Sequence, residues 1–183
     1  MTPALTDEEL VSRFRDPGQR NMAFTQIVNR YQSRLYWHIR RMVVDHDDSD
    51  DILQNTFIKA FNALERFRAE SQLFTWLYRI ATNETLSFLN KKRVSLFVRF
   101  EDMDRHLTAK LEADPELSGD RILLRLQKAI LKLPDKQRLV FNLKYFDGMK
   151  YEDMGQMLGT SVGALKASYH HAVKKVEKYV TDH

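Results

Sequence analysis

The sequence predicts an all-α protein: two small helical domains joined by an extended linker, the second a four-helix domain ending in a helix-turn-helix. Three observations predict it. Glycine (6) and proline (4) are scarce among 183 residues, and helix formers dominate. Apolar residues recur every three or four positions through most of the chain, the spacing of one helical face. That periodicity fails over residues 94–118, which carry alternating charges, Asp114-Pro115 and Ser118-Gly119. The composition, 43% hydrophobic and 30% charged, is that of a chain that buries a core. With no cysteine, disulfides, thiolate metal ligands and cysteine nucleophiles are excluded. No apolar run approaches the roughly 18 residues of a membrane span, and the N-terminus lacks a secretory h-region, so no membrane insertion is expected.

Residues 5–17 read as a short helix. Thr6 with Glu9 three residues on makes a capping box, and Pro17-Gly18 ends the helix. From about Asn21 to Val44, Phe24, Ile27, Val28, Tyr31, Leu35, Ile39 and Met42 form one stripe. The acidic run Asp45–Asp51 fails the calcium-loop pattern. Counted from Asp45, Asp50 stands where glycine is needed and Thr56 where glutamate is needed. It reads better as a helix start, with Ser49 or Asp50 as cap and carboxylates at the positive end of the dipole.

The helix from Asp50 to about Leu64 turns Leu53, Phe57, Ala60, Phe61 and Leu64 inward. Asp51, Gln54, Asn55, Ile58 and Asn62 face out; an exposed isoleucine ringed by short polar groups suits protein docking, although single exposed isoleucines are also common by chance. Arg66–Arg93 follows: a polar loop bounded by Phe67 and Phe74, then a helix without Gly or Pro. Leu73, Leu77, Ile80, Ala81 and Phe88 mark its core side. Trp76, Arg79, Asn83, Ser87 and Asn90 mark a second side, spaced 3, 4, 4 and 3. An indole that stacks, amides that bond base edges and a guanidinium for phosphate suit unstacked bases. The plainer alternative is a half-buried Trp76 beside solvated amides.

Charge is distributed unevenly. Residues 1–96 carry net +2, 97–118 net −3 and 119–183 net +5, which points modestly to a polyanionic partner for the ends. The connector of about 25 residues reads as a linker with room for a fragment of helix, and would span roughly 25–30 Å as a coil and about 80 Å drawn out. Beyond it, Ile122, Leu123, Leu126, Ala129, Ile130 and Leu133 make one helix that Pro134 stops. Leu139, Val140, Leu143 and Phe146 make a second over Asp135–Phe146. Asp147-Gly148 turns the chain. A short helix Tyr151–Leu158, a tight Gly159-Thr160-Ser161 turn capped by Ser161, and a longer helix Val162–Val180 complete a helix-turn-helix. On the last helix Val162, Leu165, Tyr169, Ala172, Val173 and Val176 are apolar. Gly163, Ala167, His170, His171, Lys174 and Lys178 lie opposite, flanked by Lys166 and Lys175: small residues for close approach to a groove, with donors for phosphates and base edges.

Three stretches together carry a resemblance. Asp50-Asp51-Ile52-Leu53-Gln54-Asn55-Thr56-Phe57-Ile58-Lys59-Ala60-Phe61, then Phe67-Arg68-Ala69-Glu70-Ser71 with Thr75–Asn83, then Leu133-Pro134 with Tyr151–Val176, closely resemble bacterial RNA polymerase sigma factors of the extracytoplasmic-function group. The resemblance implies three parts: residues 1–93, which bind the polymerase clamp and melt the −10 element; the linker 94–118; and residues 119–183, which read the −35 element. It implies docking on the β′ clamp helices through Asp51, Gln54, Asn55, Ile58 and Asn62, and contact with the β flap. It implies capture of a melted −10 strand by Phe67, Arg68, Ser71, Phe74, Trp76, Arg79 and Asn83, with one base flipped into a pocket below the loop. It implies −35 reading by Ser161, Lys166, Ala167, Ser168, His170, His171 and Lys174. It further implies promoter DNA and an anti-sigma factor as partners, cytoplasmic action, no cofactor, no metal and no catalytic group. Two departures stand out. Ala69 replaces the usual Gly, and the recognition helix carries His170 and His171 where many relatives have an Arg-rich run, which suggests a different −35 preference and pH-sensitive binding. The rival readings are a metal-dependent phosphoesterase built on Asp45–Asp51, a stand-alone helix-turn-helix regulator, and an adaptor that binds polymerase but not DNA.

Overall fold

The protein, described here from a computed structural model over residues 5–95, 100–114 and 120–182, is built of helices in these spans. The N-terminal group is α1 (Asp7–Arg15), α2 (Arg20–Val43), α3 (His46–Leu64) and α4 (Leu73–Ser95). A connector helix follows, α5 (Phe100–Ala113). The C-terminal group is α6 (Arg121–Leu131), α7 (Asp135–Tyr145), α8 (Tyr151–Leu158) and α9 (Val162–Asp182). Among the described residues no helix is long and apolar enough to cross a membrane.

Local chemistry sets the ends. The Thr6 hydroxyl accepts from the Glu9 amide and the Glu9 carboxylate from the Thr6 amide, which closes the capping box of α1. The start of α3 differs from the sequence expectation. Asp45 is the cap, its Oδ1 accepting from the Asp48 amide at 2.9 Å. Ser49 is already inside the helix and donates back to the Asp45 carbonyl, so α3 begins four residues before Asp50. Asp120 caps α6 by accepting from the Ile122 and Leu123 amides. Ser161 caps α9 through the Ala164 amide. Gly159, at φ 63, makes the left-handed turn between α8 and α9 that a Cβ would strain.

Leu10, Phe14, Ile27, Leu35, Ile39, Ala60, Leu64, Leu77 and Ala81 close the core of α1–α4, with Phe14, Phe24, Phe57 and Phe61 meeting edge-on or tilted. That core does not stop at the connector. Leu139, Val140, Leu143, Met149, Met154, Met157 and Leu165 continue it into α7–α9. A separate cluster of Ala129, Ile130, Leu133, Phe141, Ala172 and Val176 holds α6, α7 and α9 together. The connector, aperiodic in sequence, is helical over Phe100–Ala113. Its Leu107 and Leu111 pack on Val44 and Leu131, with Trp37 and Leu124 at the edge. Lys110 pairs with Asp45, Arg40 with Asp114, and Lys128 with Glu112. The two helical groups therefore lie against one another, stitched by α5.

Candidate nucleic-acid interface

The loop of residues 66–72 hangs between α3 and α4. Arg66 and Phe67 donate their amides to Ala63 and Leu64 carbonyls, which continues the last turn of α3 before the chain swings out. Ala69 holds φ 55, the left-handed region that suits the usual glycine of this position. Arg15 of α1 reaches across and donates Nη2 to the Phe67 carbonyl at 2.7 Å. The loop divides two cavities. One, about 450 Å³, is lined by Phe67, Arg68, Ser71, Trp76, Arg79 and, from α8, Gln156. The other, about 690 Å³, lies on the α1 side.

The predicted −10 residues do not share one environment. Phe67 is buried, its ring tilted against the half-buried Trp76 with centroids 5.2 Å apart. Trp76 is thus braced from one side, as a stacking platform must be. Arg68 is exposed, Ser71 half-buried, and Asn83 stands on the open surface of α4. Phe74 is half-buried, with the Arg34 guanidinium 4.3 Å above its ring and the Tyr31 and Tyr78 rings beside it. It anchors the foot of the loop. Arg79 donates Nη2 to the Gln156 carbonyl at 2.5 Å, so α8 sits on the face that carries Trp76 and Arg79.

Other cross-contacts fix α8 there. Asp147, in the turn after α7, lies 3.1 Å from Arg41 Nη1 and 3.3 Å from His38 Nδ1, and the opposite nitrogen of that buried imidazole lies 2.9 Å from Thr82 Oγ1. Arg93 pairs with Asp135 at 2.6 Å, and Asn142 donates to the Met42 sulfur at 3.5 Å. Sequence reasoning missed this set because each pair joins segments far apart in the chain.

On α3, Asp51, Gln54, Asn55, Ile58 and Asn62 are all exposed, Ile58 at 52%. Gln54, Ile58 and Asn62 border a shallow, almost wholly apolar groove of about 360 Å³ floored by Phe24, Val28, Phe57 and Phe61. Phe24 and Val28 come from α2 and were read in sequence only as core. Three acids of the Asp45–Asp51 run are engaged: Asp45 with Lys110 and the Asp48 amide, Asp48 with Lys92, and Asp50 with His46. Burial would raise the Asp45 carboxyl, but the Asp48 amide, Lys110 and Lys92 outweigh it and hold it below its ordinary value.

On α9, Lys166, Ala167, His170, His171 and Lys174 are exposed together. Ser168 is half-buried on the flank, and the Ser161 hydroxyl is the helix cap.

Comparison with known proteins covers both halves of the chain. The family description Sigma-70 region 2 matches residues 27–94, and Sigma-70, region 4 matches residues 123–176. The chain is 32% identical over 168 residues to the ECF RNA polymerase sigma factor SigW of Bacillus subtilis (strain 168), across 87% of this chain and 90% of that one. It is 32% identical over 181 residues to the RNA polymerase sigma-H factor of Pseudomonas aeruginosa, across 94% and 92%. Among solved structures it resembles CnrH in complex with the cytosolic domain of CnrY, at 27% identity and TM-score 0.70, covering 96% of this chain and 97% of that one.

Proposed function

The chain belongs to the ECF group of RNA polymerase sigma factors and serves promoter-specific transcription initiation, and from that premise we propose how its surfaces divide the work. The face of α3 docks on the β′ clamp helices of core RNA polymerase. Ile58 and the groove floored by Phe24, Val28, Phe57 and Phe61 supply apolar contact, and Asp51, Gln54, Asn55 and Asn62 supply register. The loop and the Trp76–Arg79–Asn83 face capture one strand of the −10 element after melting. Unstacking a base costs a few kcal/mol, and stacking on a braced indole returns roughly 1–3 kcal/mol per base. The exposed sector of α9 enters the major groove at the −35 element, and the C-terminal group contacts the β flap. No step in this scheme needs a catalytic group; binding free energy and positioning suffice. Each DNA contact is weak alone and becomes strong once polymerase fixes their separation.

Residues 1–93, 94–118 and 119–183 then act as −10 unit, linker and −35 unit. The protein acts where polymerase is, in the cytoplasm. An anti-sigma protein is its expected regulator, since the related CnrH is solved in complex with the cytosolic domain of CnrY.

What supports this reading is the exposure of the five α3 residues on one helix, with Gln54, Ile58 and Asn62 at the edge of an apolar groove, on a chain that matches regions 2 and 4 in order. Mixing the purified chain with sigma-free core polymerase and genomic DNA, then sequencing run-off transcripts, tests it. Discrete starts that share two upstream motifs are expected. Ile58→Asp should abolish them together with core binding, and Asn83→Ala or Lys166→Ala should abolish them without loss of core binding. Starts that survive all three changes would refute the assignment of surfaces.

A further inference from the structure

The first two turns of α6 and the end of α9 border a cavity of about 490 Å³, within the roughly 300–1,000 Å³ of small-ligand sites. Arg121, Leu124, Arg125 and Lys128 of α6 line it, with Tyr179 of α9. None of these belongs to the α3 face, the loop of residues 66–72 or the exposed sector of α9 described above. Arg121 and Tyr179 lie outside the residues matched to Sigma-70, region 4.

The cations share one helical face. Arg121, Arg125 and Lys128 stand four and three residues apart, so their row runs roughly 10 Å along the axis. Like charges so placed repel. Lys128 is partly neutralised by Glu112 of the connector, 2.5 Å away. Arg121 and Arg125 are exposed, and among the described residues neither takes part in a hydrogen bond or ion pair. The helix start adds nothing to this charge, because the Asp120 carboxylate already accepts from the Ile122 and Leu123 amides. Carbon surface beside the cations comes from Leu124 and from the half-buried Tyr179 ring, which packs against the cluster that joins α6, α7 and α9.

We propose that this cavity binds a nucleoside polyphosphate, with the phosphate chain laid along Arg121, Arg125 and Lys128 and the base against Tyr179. A row of cations two turns long meets a chain of phosphates better than a single one. Guanidinium groups grip phosphate oxygens in bidentate pairs, and an aromatic ring stacks on any base. The ligand also reaches the connector. A phosphate at Lys128 competes with Glu112 for the same ammonium. Leu124 is shared between the cavity and the cluster that buries Leu107 and Leu111 of α5. Occupancy therefore weakens one tie between α5 and α6.

The test titrates the full chain, without polymerase, with ATP, GTP, AMP and inorganic tripolyphosphate in magnesium-free buffer, followed by calorimetry. Both nucleoside triphosphates should bind. AMP and tripolyphosphate should bind about tenfold more weakly, the first for lack of charge and the second for lack of a base. Arg121→Gln and Arg125→Gln, at exposed positions, should each weaken ATP about tenfold. Tyr179→Leu should bring ATP down to the level of tripolyphosphate and leave tripolyphosphate unchanged. Glu112→Gln should tighten ATP about threefold, because it releases Lys128. Equal affinity for ATP and tripolyphosphate would leave only a counter-ion patch and overturn the proposal. So would binding that persists when Arg121→Gln and Arg125→Gln are combined, which would put the nucleotide elsewhere, and so would no binding of any of the four compounds. A short DNA single strand that displaces ATP at lower concentration would make the surface a strand groove and overturn it as well. None of these outcomes touches the promoter assignment, which is tested with polymerase.

Discussion

Ala69 shows how one backbone angle can carry a function. At φ 55 an alanine bears a cost of roughly 1 kcal/mol that glycine would not. Ala69→Gly should therefore leave the loop path intact. In thermal unfolding it should change stability by no more than about 1 kcal/mol, upward, because the greater freedom of unfolded glycine offsets part of the relief. Ala69→Val should lower stability by about 1–2 kcal/mol; a valine variant as stable as wild type would contradict the left-handed assignment. Asp45 offers a second test. Its folded pKa is lowered, so its contribution is complete above its ordinary value of 3.8 and is lost as pH falls through the folded value. Asp45→Ala should cost about 1–2 kcal/mol at neutral pH and flatten the acid limb of the stability profile below 3.8. An acid limb identical to wild type would show that the carboxylate contributes nothing there.

Helices differ in how much of themselves they reveal in sequence. The helix-turn-helix was legible almost to the residue, because its signals are local: Gly159 for the left-handed turn, Ser161 for the cap, and apolar spacing on α9. Ser161→Ala should cost about 1 kcal/mol in chemical denaturation, with the helix start fraying in amide exchange. No loss would assign the cap elsewhere. The exposed side of α3 was equally readable from its 3.6-residue period. By contrast, α5 showed in the sequence only as room for a fragment of helix. Its two buried leucines, Leu107 and Leu111, find their partners at Val44 and Leu131, so this helix is made by tertiary packing that no local window contains. Loop residues were legible as a group but not one by one. Phe74 looks like Phe67 in sequence, yet Arg34, Tyr31 and Tyr78 enclose it. The covering of Arg79 by Gln156 joins residues 77 apart and left no local trace.

At the scale of the whole molecule, α8 rests on the face proposed to hold the −10 strand, and Asp147 faces both Arg41 and His38 where the two groups meet. Asp147→Ala should leave the shared apolar core in place but loosen the contact between the two helical groups, and so raise affinity for a −10 single strand several-fold in the absence of polymerase. The chain contains no cysteine, so single cysteines introduced at Lys59 and Lys178 would report the separation by fluorescence transfer. A variant with unchanged distance and unchanged affinity would refute the link between this contact and strand access.

Ion pairs hold the seam: Arg41–Asp147 and Arg93–Asp135 join the two groups, and Arg40–Asp114 and Lys110–Asp45 tie the first group to the connector. Electrolyte screens such pairs and so favours separation, while the same electrolyte weakens phosphate contacts, by a slope of roughly 0.7 per phosphate for a single strand. The two responses have opposite signs and are thermodynamically coupled. For the isolated chain, a plot of log affinity against log salt must then be shallower than its phosphate contacts alone dictate. A contact count read from that slope would be too low by the number of counterions the parting seam takes up.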